Sequence, residues 1–290
     1  MNDYYDVSLK KHRLESLSGN CGIEFHEFDI EDRDKLNALC ESHSIDAIMN
    51  LAARAGVRYS LENPHIYMST NLVGSLNLLE VAKEHGIGKY VLASTSSIYA
   101  GEKIPFPEDR PGNSPISPYA ASKKSAELLA YTYHYLYGID VTVLRYFTVF
   151  GPAGRPDMSI FRFIKWIDEN TPLTLYGDGT QSRDFTYVED IAEGTMRALK
   201  KIGYEIINLG GGRSPISLLK VIKILERKMK KKAMINYETV HKTDIEETCA
   251  DISKAKELLD WSPQFNFEEG LDRTIEWYKE NKSWLSGVEV

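Results

Sequence analysis

YVLASTSSIYA, at residues 90–100, is the most informative segment for the fold of this chain. It begins with the apolar run YVLA, and the hydroxyl side chains of STSS follow directly after it. In a parallel α/β sheet the carboxyl ends of the strands line the ligand crevice, so hydroxyl groups at that place can bind a ligand. We therefore predict a buried strand over residues 89–95, with its end at a binding site.

Outward from this strand, short β-branched or aromatic runs alternate with longer amphipathic stretches, which is typical of an α/β fold with a parallel sheet. The predicted strands cover residues 22–30, 46–51, 89–95, 140–147 and 205–209. The predicted helices cover residues 32–42, 63–85, 118–137 and 188–200. The charge run KMKKK at 228–232 is interpreted as the end of a helix that starts at Ser214, where it favours the helix dipole.

The composition describes a folded chain without an extended charged or apolar surface. Its 290 residues are 42% hydrophobic and 27% charged, close to globular averages. The net charge of −7 disfavours nucleic acid as a partner, and no window is apolar enough for a membrane span. Three cysteines, odd in number and widely separated, are interpreted as reduced thiols. We expect a cytoplasmic protein that binds neither nucleic acid nor a membrane.

Tyr119 and Lys123 are the first candidates for chemistry, because residues four apart share one face of a helix. A nearby cation lowers the pKa of a phenol and makes it a usable base near neutral pH. The Tyr-x-x-x-Lys pattern also occurs at Tyr99/Lys103 and Tyr278/Lys282. Only the Tyr119 pair opens a long helix after a hydroxyl-rich strand end. From spacing alone a second interpretation stays open, in which residues 94–97 form a turn and Tyr119 packs in the first helical turn.

Several segments in a fixed order resemble the nucleotide-sugar epimerases of the extended short-chain dehydrogenase/reductase family. They are NLAARAGVRYSLENP (50–64), YVLASTSSIYA (90–100), SPYAASKKSAE (117–127), LRYFTVFGPAGRPDM (144–158), YGDGTQSRDFTYVEDI (176–191) and TCADISKAKELLDWSP (248–263). The segments AGVRYSLENP and RDFTY are most similar to those of members that act on UDP-glucuronate. The resemblance implies an NAD-dependent isomerase that epimerises a UDP-sugar at C4, converting UDP-glucuronate to UDP-galacturonate.

The resemblance implies three catalytic residues, Thr95, Tyr119 and Lys123. Thr95 would hydrogen-bond the sugar hydroxyl, Tyr119 would accept its proton, and Lys123 would hold the nicotinamide ribose. Ser96 and Ser97 stand where related dehydratases and decarboxylases carry carboxylates, and the resemblance places them at the substrate. Hydroxyl groups in place of carboxylates favour epimerisation.

The resemblance also implies residues for the two ends of the substrate. Thr148 and Arg155 suit a hexuronate carboxylate, because a guanidinium pairs bidentately with it and a hydroxyl adds a hydrogen bond. Arg183 matches an arginine that grips the diphosphate, with a salt bridge to Asp184 as the alternative. Asp244 resembles a ribose-binding aspartate. For Arg155 a plain surface position stays open.

Two further positions on the substrate side are less settled. Arg58 is interpreted as helping to bind the sugar acid, and a surface role is the alternative. Three residues before Asp244, this chain has His241 where many relatives have an arginine. That departure puts part of diphosphate binding in doubt.

Residues on the cofactor side follow from the same resemblance, and NAD is the cofactor it implies. Asp29 and Ile30, at the end of a predicted strand, resemble the pair that contacts adenine. The remaining cofactor positions are Leu51, Ala52, Ala53, Asn71, Tyr119, Lys123 and Tyr146. Strand-end packing is the alternative for Asp29, Ile30 and residues 51–53, and a buried structural amide is the alternative for Asn71.

The family's opening strand and G-x-x-G-x-x-G turn, whose backbone N–H groups hold the cofactor pyrophosphate, have no counterpart in this sequence. The glycine run 210–212 has the wrong spacing and is interpreted as a turn between a strand and a helix. We therefore expect an N-terminally truncated Rossmann-like parallel sheet with a smaller interwoven C-terminal substrate domain. Residues 22–30 would be orphaned and 46–51 would form an exposed edge. The chain alone is expected to bind UDP, to bind little NAD and not to epimerise.

The predicted domains are a dinucleotide-binding domain at 1–150, to which 181–209 returns, and a substrate domain from 151–180 and 210–290. The helices 63–85 and 118–137 are expected to pair two copies into a four-helix bundle, because the second carries Leu128, Leu129, Tyr133 and Leu136 at bundle spacing. Three other functions remain open: a UDP-glucose/galactose-type hexose 4-epimerase, a decarboxylase and a non-catalytic nucleotide-sugar binder.

Overall fold

The computed structural model describes residues 1–17, 19, 22–213 and 215–290. The α-helices are α1 Val7–Glu15, α2 Arg33–Ser42, α3 Tyr59–Glu62, α4 Pro64–Tyr67, α5 Gly74–Glu84, α6 Pro118–Tyr137, α7 Ser159–Glu169, α8 Val188–Arg197, α9 Leu218–Met229, α10 Ser253–Leu259, α11 Phe267–Glu280 and α12 Lys282–Leu285. The strands are β1 Ile48–Asn50, β2 Lys89–Thr95, β3 Asp140–Tyr146, β4 Thr148–Phe150, β5 Leu173–Tyr176, β6 Ser182–Arg183, β7 Phe185–Tyr187, β8 Tyr204–Leu209, β9 Ile216–Ser217 and β10 Ile235–Glu238.

A four-stranded parallel sheet with the order β1-β2-β3-β8 forms the centre of the molecule. Every residue of β2 is buried, because the sheet is covered on both faces. One face packs Tyr90, Leu92 and Val143 against α5 and α6. The other packs Val91 and Leu144 into a cluster that includes the indole of Trp261. The predicted α/β fold with a Rossmann-like parallel sheet is confirmed.

Helix α6 brings the predicted tyrosine and lysine to the sheet edge. It begins where the side chain of Ser117 accepts a hydrogen bond from the Ala120 N–H at 3.1 Å, with Pro118 in the first turn. It ends at Gly138, whose φ of +69° lies in the left-handed region that glycine adopts at no steric cost. These signals are local, so the predicted bounds 118–137 are confirmed, as are those of β2.

A buried ion pair fixes α6 against the sheet. Arg145 on β3 donates from Nε and Nη2 to the two carboxylate oxygens of Glu127, at 2.9 and 2.8 Å. Ser94 Oγ donates to Glu127 Oε1 at 2.6 Å, and Lys124 Nζ lies 3.4 Å from Oε2. Bidentate, charge-assisted hydrogen bonds of this kind fix the geometry of both partners. The helix face that carries Tyr119 and Lys123 is thereby aligned with the end of β2.

A separate apolar cluster lies in the carboxyl-terminal half. It joins Ile164 on α7, Leu175 on β5, Leu225 on α9 and Leu271 on α11. Strand β4 pairs with β7, and β5 pairs with β10. The loop 151–158 leads from β4 to α7 and thus connects the central sheet to this cluster. The division into domains proposed from the sequence stays a prediction.

The predicted strand over 22–30 is wrong: the structure has no strand within residues 22–30. A strand must pair its N–H and C=O groups, and among the described residues β1 pairs only with β2 and forms the sheet edge. Phe28 and Ile30 still pack against the apolar cluster below α5. The expectation that this segment is orphaned and that 46–51 forms an edge therefore agrees with the structure.

Other elements differ in their bounds. The predicted helix 63–85 is divided into α4, a π-helical segment over Met68–Val73, and α5. The helix expected from Ser214 begins at Leu218, capped by Ser217, and Ser214 itself lies outside the described residues. Its basic end is confirmed, since Lys228 is in the last turn and Lys230 is the left-handed cap. In the part of the chain that the structure describes, no helix has the length and apolar character needed to cross a membrane.

Candidate active site

A cavity of about 630 Å³ opens where the carboxyl ends of β2 and β3 meet the loop 151–158. Thr95, Tyr119, Tyr146, Thr148 and Arg155 all line it. A second cavity of about 510 Å³ adjoins the first and shares Arg155 with it. The structure thus brings together most of the predicted catalytic residues and the predicted carboxylate-binding pair in one place.

The hydroxyl cluster after β2 is ordered by its own hydrogen bonds. Thr95 Oγ1 accepts from the Ser97 N–H at 3.1 Å and contacts Ser97 Oγ at 3.2 Å. A 3₁₀ turn over Ser96–Tyr99 follows, so Ser96 and Ser97 stay at the cavity. The turn that the alternative interpretation proposed is therefore present, and it presents the hydroxyl groups to the cavity.

Tyr119 is held in an environment that opposes its ionisation. Burial raises the pKa of its phenol, while a hydrogen bond with Thr95 and the positive charge of Arg155 lower it in part. We predicted that Lys123 would lower this pKa below its ordinary value. The prediction is wrong, because the pKa of Tyr119 is raised. Burial outweighs the cations, and the cation that acts on Tyr119 is Arg155.

Lys123 lies below Tyr119 with its ammonium buried. Its Nζ donates to the Ala93 carbonyl at 2.8 Å. Burial lowers the pKa of Lys123 to about 8, and the negative charge of Glu127 acts in the opposite direction. Because an ammonium has three donors and Ala93 is its only hydrogen-bond partner among the described residues, two N–H groups remain for a ligand.

Arg155 is held by a carboxylate from its own loop. Its Nε and Nη2 donate to Asp157 at 3.1 and 2.9 Å, and the side chain is only 27% exposed. The alternative of a surface arginine is therefore wrong. Asp157 was not singled out in the sequence, although its position two residues after Arg155 is a signal that could have found it.

The second cavity is lined by Arg183 and Asp244, which were predicted for the nucleotide end, and by Arg58, which was predicted for the sugar acid. Arg58 Nη2 donates to Asp244 Oδ2 at 2.8 Å, and its guanidinium carbon lies 3.7 Å from the ring centre of Tyr176. The side chain lines the cavity and is 37% exposed, so both the sugar-acid role and the surface alternative for Arg58 stay open. His241 turns to its own loop, with Nδ1 2.8 Å from Thr243 Oγ1.

Arg183 lines the second cavity as well, and its alternative role is wrong. Nη1 donates to the carbonyls of Ser182 and Glu246, at 2.8 and 3.3 Å, and not to Asp184. Asp184 accepts from the N–H groups of Gly212 and Ala250 at 3.1 and 2.8 Å, and burial raises its pKa to about 6. The glycine run 210–212 therefore binds a carboxylate of the protein, as expected for a structural turn.

On the cofactor side, the amide of Asn71 is satisfied within the protein. It donates to the Arg54 carbonyl and Ser122 Oγ, at 3.0 and 2.9 Å, and accepts from the Arg54 N–H at 2.7 Å. These bonds favour the structural alternative, in which Asn71 fixes the loop after β1. That loop contains Leu51, Ala52 and Ala53, and Leu51 is 56% exposed at the end of β1.

The remaining cofactor candidates divide between the cavity and the rim of the sheet. Tyr146 lines the cavity, and its hydroxyl lies 2.8 Å from Thr195 Oγ1. Asp29 and Ile30 are not at a strand end as predicted. Asp29 accepts from the Glu31 N–H at 3.1 Å in a turn, and Ile30 packs against Gly74. Their contact with adenine stays a prediction.

Residues 2–210 match the family model described as the NAD dependent epimerase/dehydratase family. The chain belongs to this family. A UDP-glucuronate 4-epimerase from Thermodesulfobacterium geofontis is 58% identical over 290 residues, which are 100% of this chain and 90% of that protein.

Two solved structures show the same family relationship in three dimensions. The UDP-glucuronic acid 4-epimerase from Bacillus cereus, in complex with UDP-glucuronic acid and NAD, has a TM-score of 0.88 at 38% identity, over 96% of this chain and 88% of that one. The UDP-glucose 4-epimerase from Thermotoga maritima, with UDP-glucose, has a TM-score of 0.86 at 29% identity, over 95% of each chain.

In this epimerase/dehydratase family member, the lining residues Tyr119 and Tyr146 and the buried Lys123 suit one half of NAD. The two free donors of Lys123 suit a ribose diol, and Tyr119 and Tyr146 stand beside it at the ends of α6 and β3. The pyrophosphate half has no such match. Among the described residues the only run of consecutive glycines is occupied by Asp184.

We expect the 290-residue polypeptide to bind UDP and to bind NAD at least about tenfold more weakly than UDP, because its described residues offer the pyrophosphate no helix N-terminus behind a glycine turn. Calorimetric titration with UDP and with NAD measures both affinities. As a control, a glycine-turn segment of the family type (strand, G-x-x-G-x-x-G turn, helix and second strand) placed ahead of Met1 should raise NAD affinity and leave UDP affinity unchanged. Stoichiometric, tight NAD binding by the 290 residues would contradict the prediction.

Proposed function

We propose that this protein catalyses the NAD-dependent C4 epimerisation of UDP-glucuronate to UDP-galacturonate. The observation that carries the proposal is the presence of Arg155 and Thr148 in the same cavity as Thr95 and Tyr119. The Arg155 guanidinium and the Thr148 hydroxyl can hold the C6 carboxylate, while the Thr95 hydroxyl and the Tyr119 phenol act on C4. The named function of the Thermodesulfobacterium and Bacillus relatives supports the same substrate.

In the proposed reaction Tyr119 removes the proton from the C4 hydroxyl and Thr95 aligns that hydroxyl with the phenol. NAD, when bound, supplies a hydride acceptor and donor for C4. Lys123 would donate hydrogen bonds to the ribose, and Arg155 contributes the positive charge that acts on Tyr119. The sugar passes through a 4-keto form. This form rotates in the cavity so that C4 is then reduced on its other face. The reaction is therefore an isomerisation without net oxidation.

The 4-keto form of a hexuronate is a β-keto acid, which loses carbon dioxide when its carboxylate rotates into alignment with the ketone. Arg155, Thr148 and Ser96 are proposed to hold the carboxylate against that rotation. Ser96 and Ser97 also leave the cavity without the carboxylates that would favour elimination, which supports epimerisation over the dehydratase and decarboxylase alternatives.

The test is incubation of the protein, carrying the family's glycine-turn segment ahead of Met1, with NAD and either UDP-glucuronate or UDP-glucose, followed by proton NMR of the anomeric signals. We expect UDP-galacturonate from the first and little UDP-galactose from the second. Faster conversion of UDP-glucose would favour the hexose 4-epimerase alternative. Binding of UDP-sugars without conversion in this protein would favour the non-catalytic binder.

The proposal includes a homodimer formed through α5 and α6. On α6, Leu128 and Leu136 are 59% and 58% exposed and Tyr135 is 75% exposed, so one face of this helix is apolar and open. Leu129 and Tyr133, which the sequence pattern also predicts at this interface, face inward. Leu129 packs against the apolar cluster beside the sheet, and the Tyr133 hydroxyl donates to Glu80 on α5.

We expect Leu128→Lys to convert the dimer to a monomer at micromolar concentration, because a desolvated ammonium has no partner in an apolar interface. Light scattering coupled to size exclusion measures the mass. Met196→Lys is the matched control, since Met196 is 60% exposed on α8, away from this face. A monomeric parent chain, or a dimer that survives Leu128→Lys, would contradict the interface.

A cytoplasmic location completes the proposal, supported by the free thiols of Cys40 and Cys249.

A further inference from the structure

The amino-terminal segment touches the loop that carries Arg155 at two points. Arg13 on α1 donates from Nε and Nη2 to the carbonyl of Ala153, at 2.9 and 2.6 Å. Tyr4 donates its hydroxyl to Asp157 Oδ2 at 3.0 Å. The two contacts flank Arg155 in the chain, one two residues before it and one two residues after it.

The first contact holds a strained residue. Ala153 has a φ of +52°, in the left-handed region that non-glycine residues adopt only when their surroundings keep them there. The guanidinium of Arg13 donates two hydrogen bonds to the Ala153 carbonyl and so stabilises this backbone conformation. The third group, Nη1, donates to Tyr5 Oη at 2.5 Å. Three of the five N–H groups of Arg13 are thus bound within the protein, two of them by the Ala153 carbonyl, and we assign these two donors to the loop.

The second contact holds the carboxylate that orients Arg155. Asp157 accepts from Nε and Nη2 of Arg155, so any rotation of Asp157 would carry the guanidinium with it. Tyr4 fixes one oxygen of that carboxylate from outside the loop. The phenol reaches Asp157 because Gly56 leaves space: a Cβ at Gly56 would lie 2.2 Å from Tyr4 Oη.

From this arrangement we infer that Tyr4 and Arg13 are positioning residues for Arg155, and that the amino-terminal segment thereby sets the preference for a UDP-sugar bearing a carboxylate. The inference rests on the proposed function, because it requires Arg155 to bind the sugar carboxylate. Arg13 lines the first cavity and Tyr4 lines the second, and the inference assigns to each a bond to the loop rather than a bond to the substrate. Each acts by keeping the Arg155 guanidinium turned to the cavity before the ligand arrives, which lowers the cost of ordering it on binding.

The test compares the affinities for UDP-glucuronate and UDP-glucose by calorimetry, using the ratio of the two dissociation constants as the readout. Tyr4→Phe removes one hydroxyl, and Arg13→Met removes the donors while keeping an unbranched chain. Each should lower the preference for UDP-glucuronate roughly 5- to 10-fold and leave the UDP-glucose affinity within about twofold. Arg13→Lys, which can still donate to Ala153, should recover part of the loss. Lys11→Met is the control, since Lys11 is an exposed cation on the same helix.

A double-variant cycle shows whether the two residues act through Arg155. In an Arg155→Ala background, Arg13→Met should have no further effect on the ratio, because coupled residues are not additive. Equal losses for both sugars, or full additivity with Arg155→Ala, would overturn the inference. If Arg155→Ala lowers the ratio and the Tyr4 and Arg13 variants do not, the inference alone fails. If Arg155→Ala leaves the ratio unchanged, the proposed function fails with it. An unchanged UDP affinity in every variant shows that the chain is folded.

Discussion

Tyr119→Phe should reduce epimerisation by about 10²- to 10⁴-fold while the affinity for UDP-glucuronate stays within about twofold. The substitution removes the only atom that can accept the C4 hydroxyl proton and leaves the ring in place. Tyr119 lies at the start of α6 with its hydroxyl next to Thr95, so little contact area is lost. A loss in the rate with no loss in binding is the signature of a group that acts in the transition state.

Turnover is measured with the family's glycine-turn segment placed ahead of Met1, and binding is measured by calorimetry on the same protein. Tyr146→Phe is the matched control, because Tyr146 lines the same cavity but binds Thr195 with its hydroxyl. Its rate should fall far less. A Tyr119→Phe variant that turns over like the parent chain would remove Tyr119 from the mechanism.

Arg155→Ala should weaken the use of UDP-glucuronate about 10- to 100-fold and that of UDP-glucose by less than about threefold. A hydrogen bond to a charged group contributes more than a neutral one, and its loss leaves the sugar carboxylate unpaired in the cavity. UDP-glucose has no such group to leave unpaired. The ratio of kcat/KM for the two sugars isolates this difference from any general change in the protein.

Arg155→Ala also frees Asp157, so part of its effect could come from the loop. Asp157→Asn is the matched variant: it keeps the shape of the side chain, removes its charge, and should produce a smaller loss for UDP-glucuronate. If Arg155→Ala weakens both sugars equally, Arg155 has a general structural role and the choice of substrate lies elsewhere.

The sequence identified the elements whose signals are local. The bounds of β2 follow from a run that is buried on both faces of the sheet, and those of α6 from Ser117-Pro118 and Gly138. The end of β2 and the start of α6 then place Thr95, Tyr119 and Lys123 near one another, because they bracket the same sheet edge. This half of the site could be predicted from spacing together with the family resemblance.

The parts that the sequence missed depend on distant contacts. Residues 22–30 have the composition of a strand, but pairing and not composition decides whether a strand forms. Tyr4 meets Asp157 across 153 positions, and Arg58 meets Asp244 across 186, and no local pattern carries such information. The pKa of Tyr119 was misjudged for a similar reason, since burial by several elements outweighs the nearest cation.

The ion pair between Glu127 and Arg145 has a consequence for motion at the site. Ser94, Lys124 and Arg145 all bind the one carboxylate of Glu127, and each is the sequence neighbour of a candidate site residue: Thr95, Lys123 and Tyr146. When the sheet flexes, Thr95, Lys123 and Tyr146 are displaced together, and the distances between them change little. Rate constants depend steeply on misplacements of about an ångström. The protein can therefore bend while the distances that matter for proton transfer stay constant.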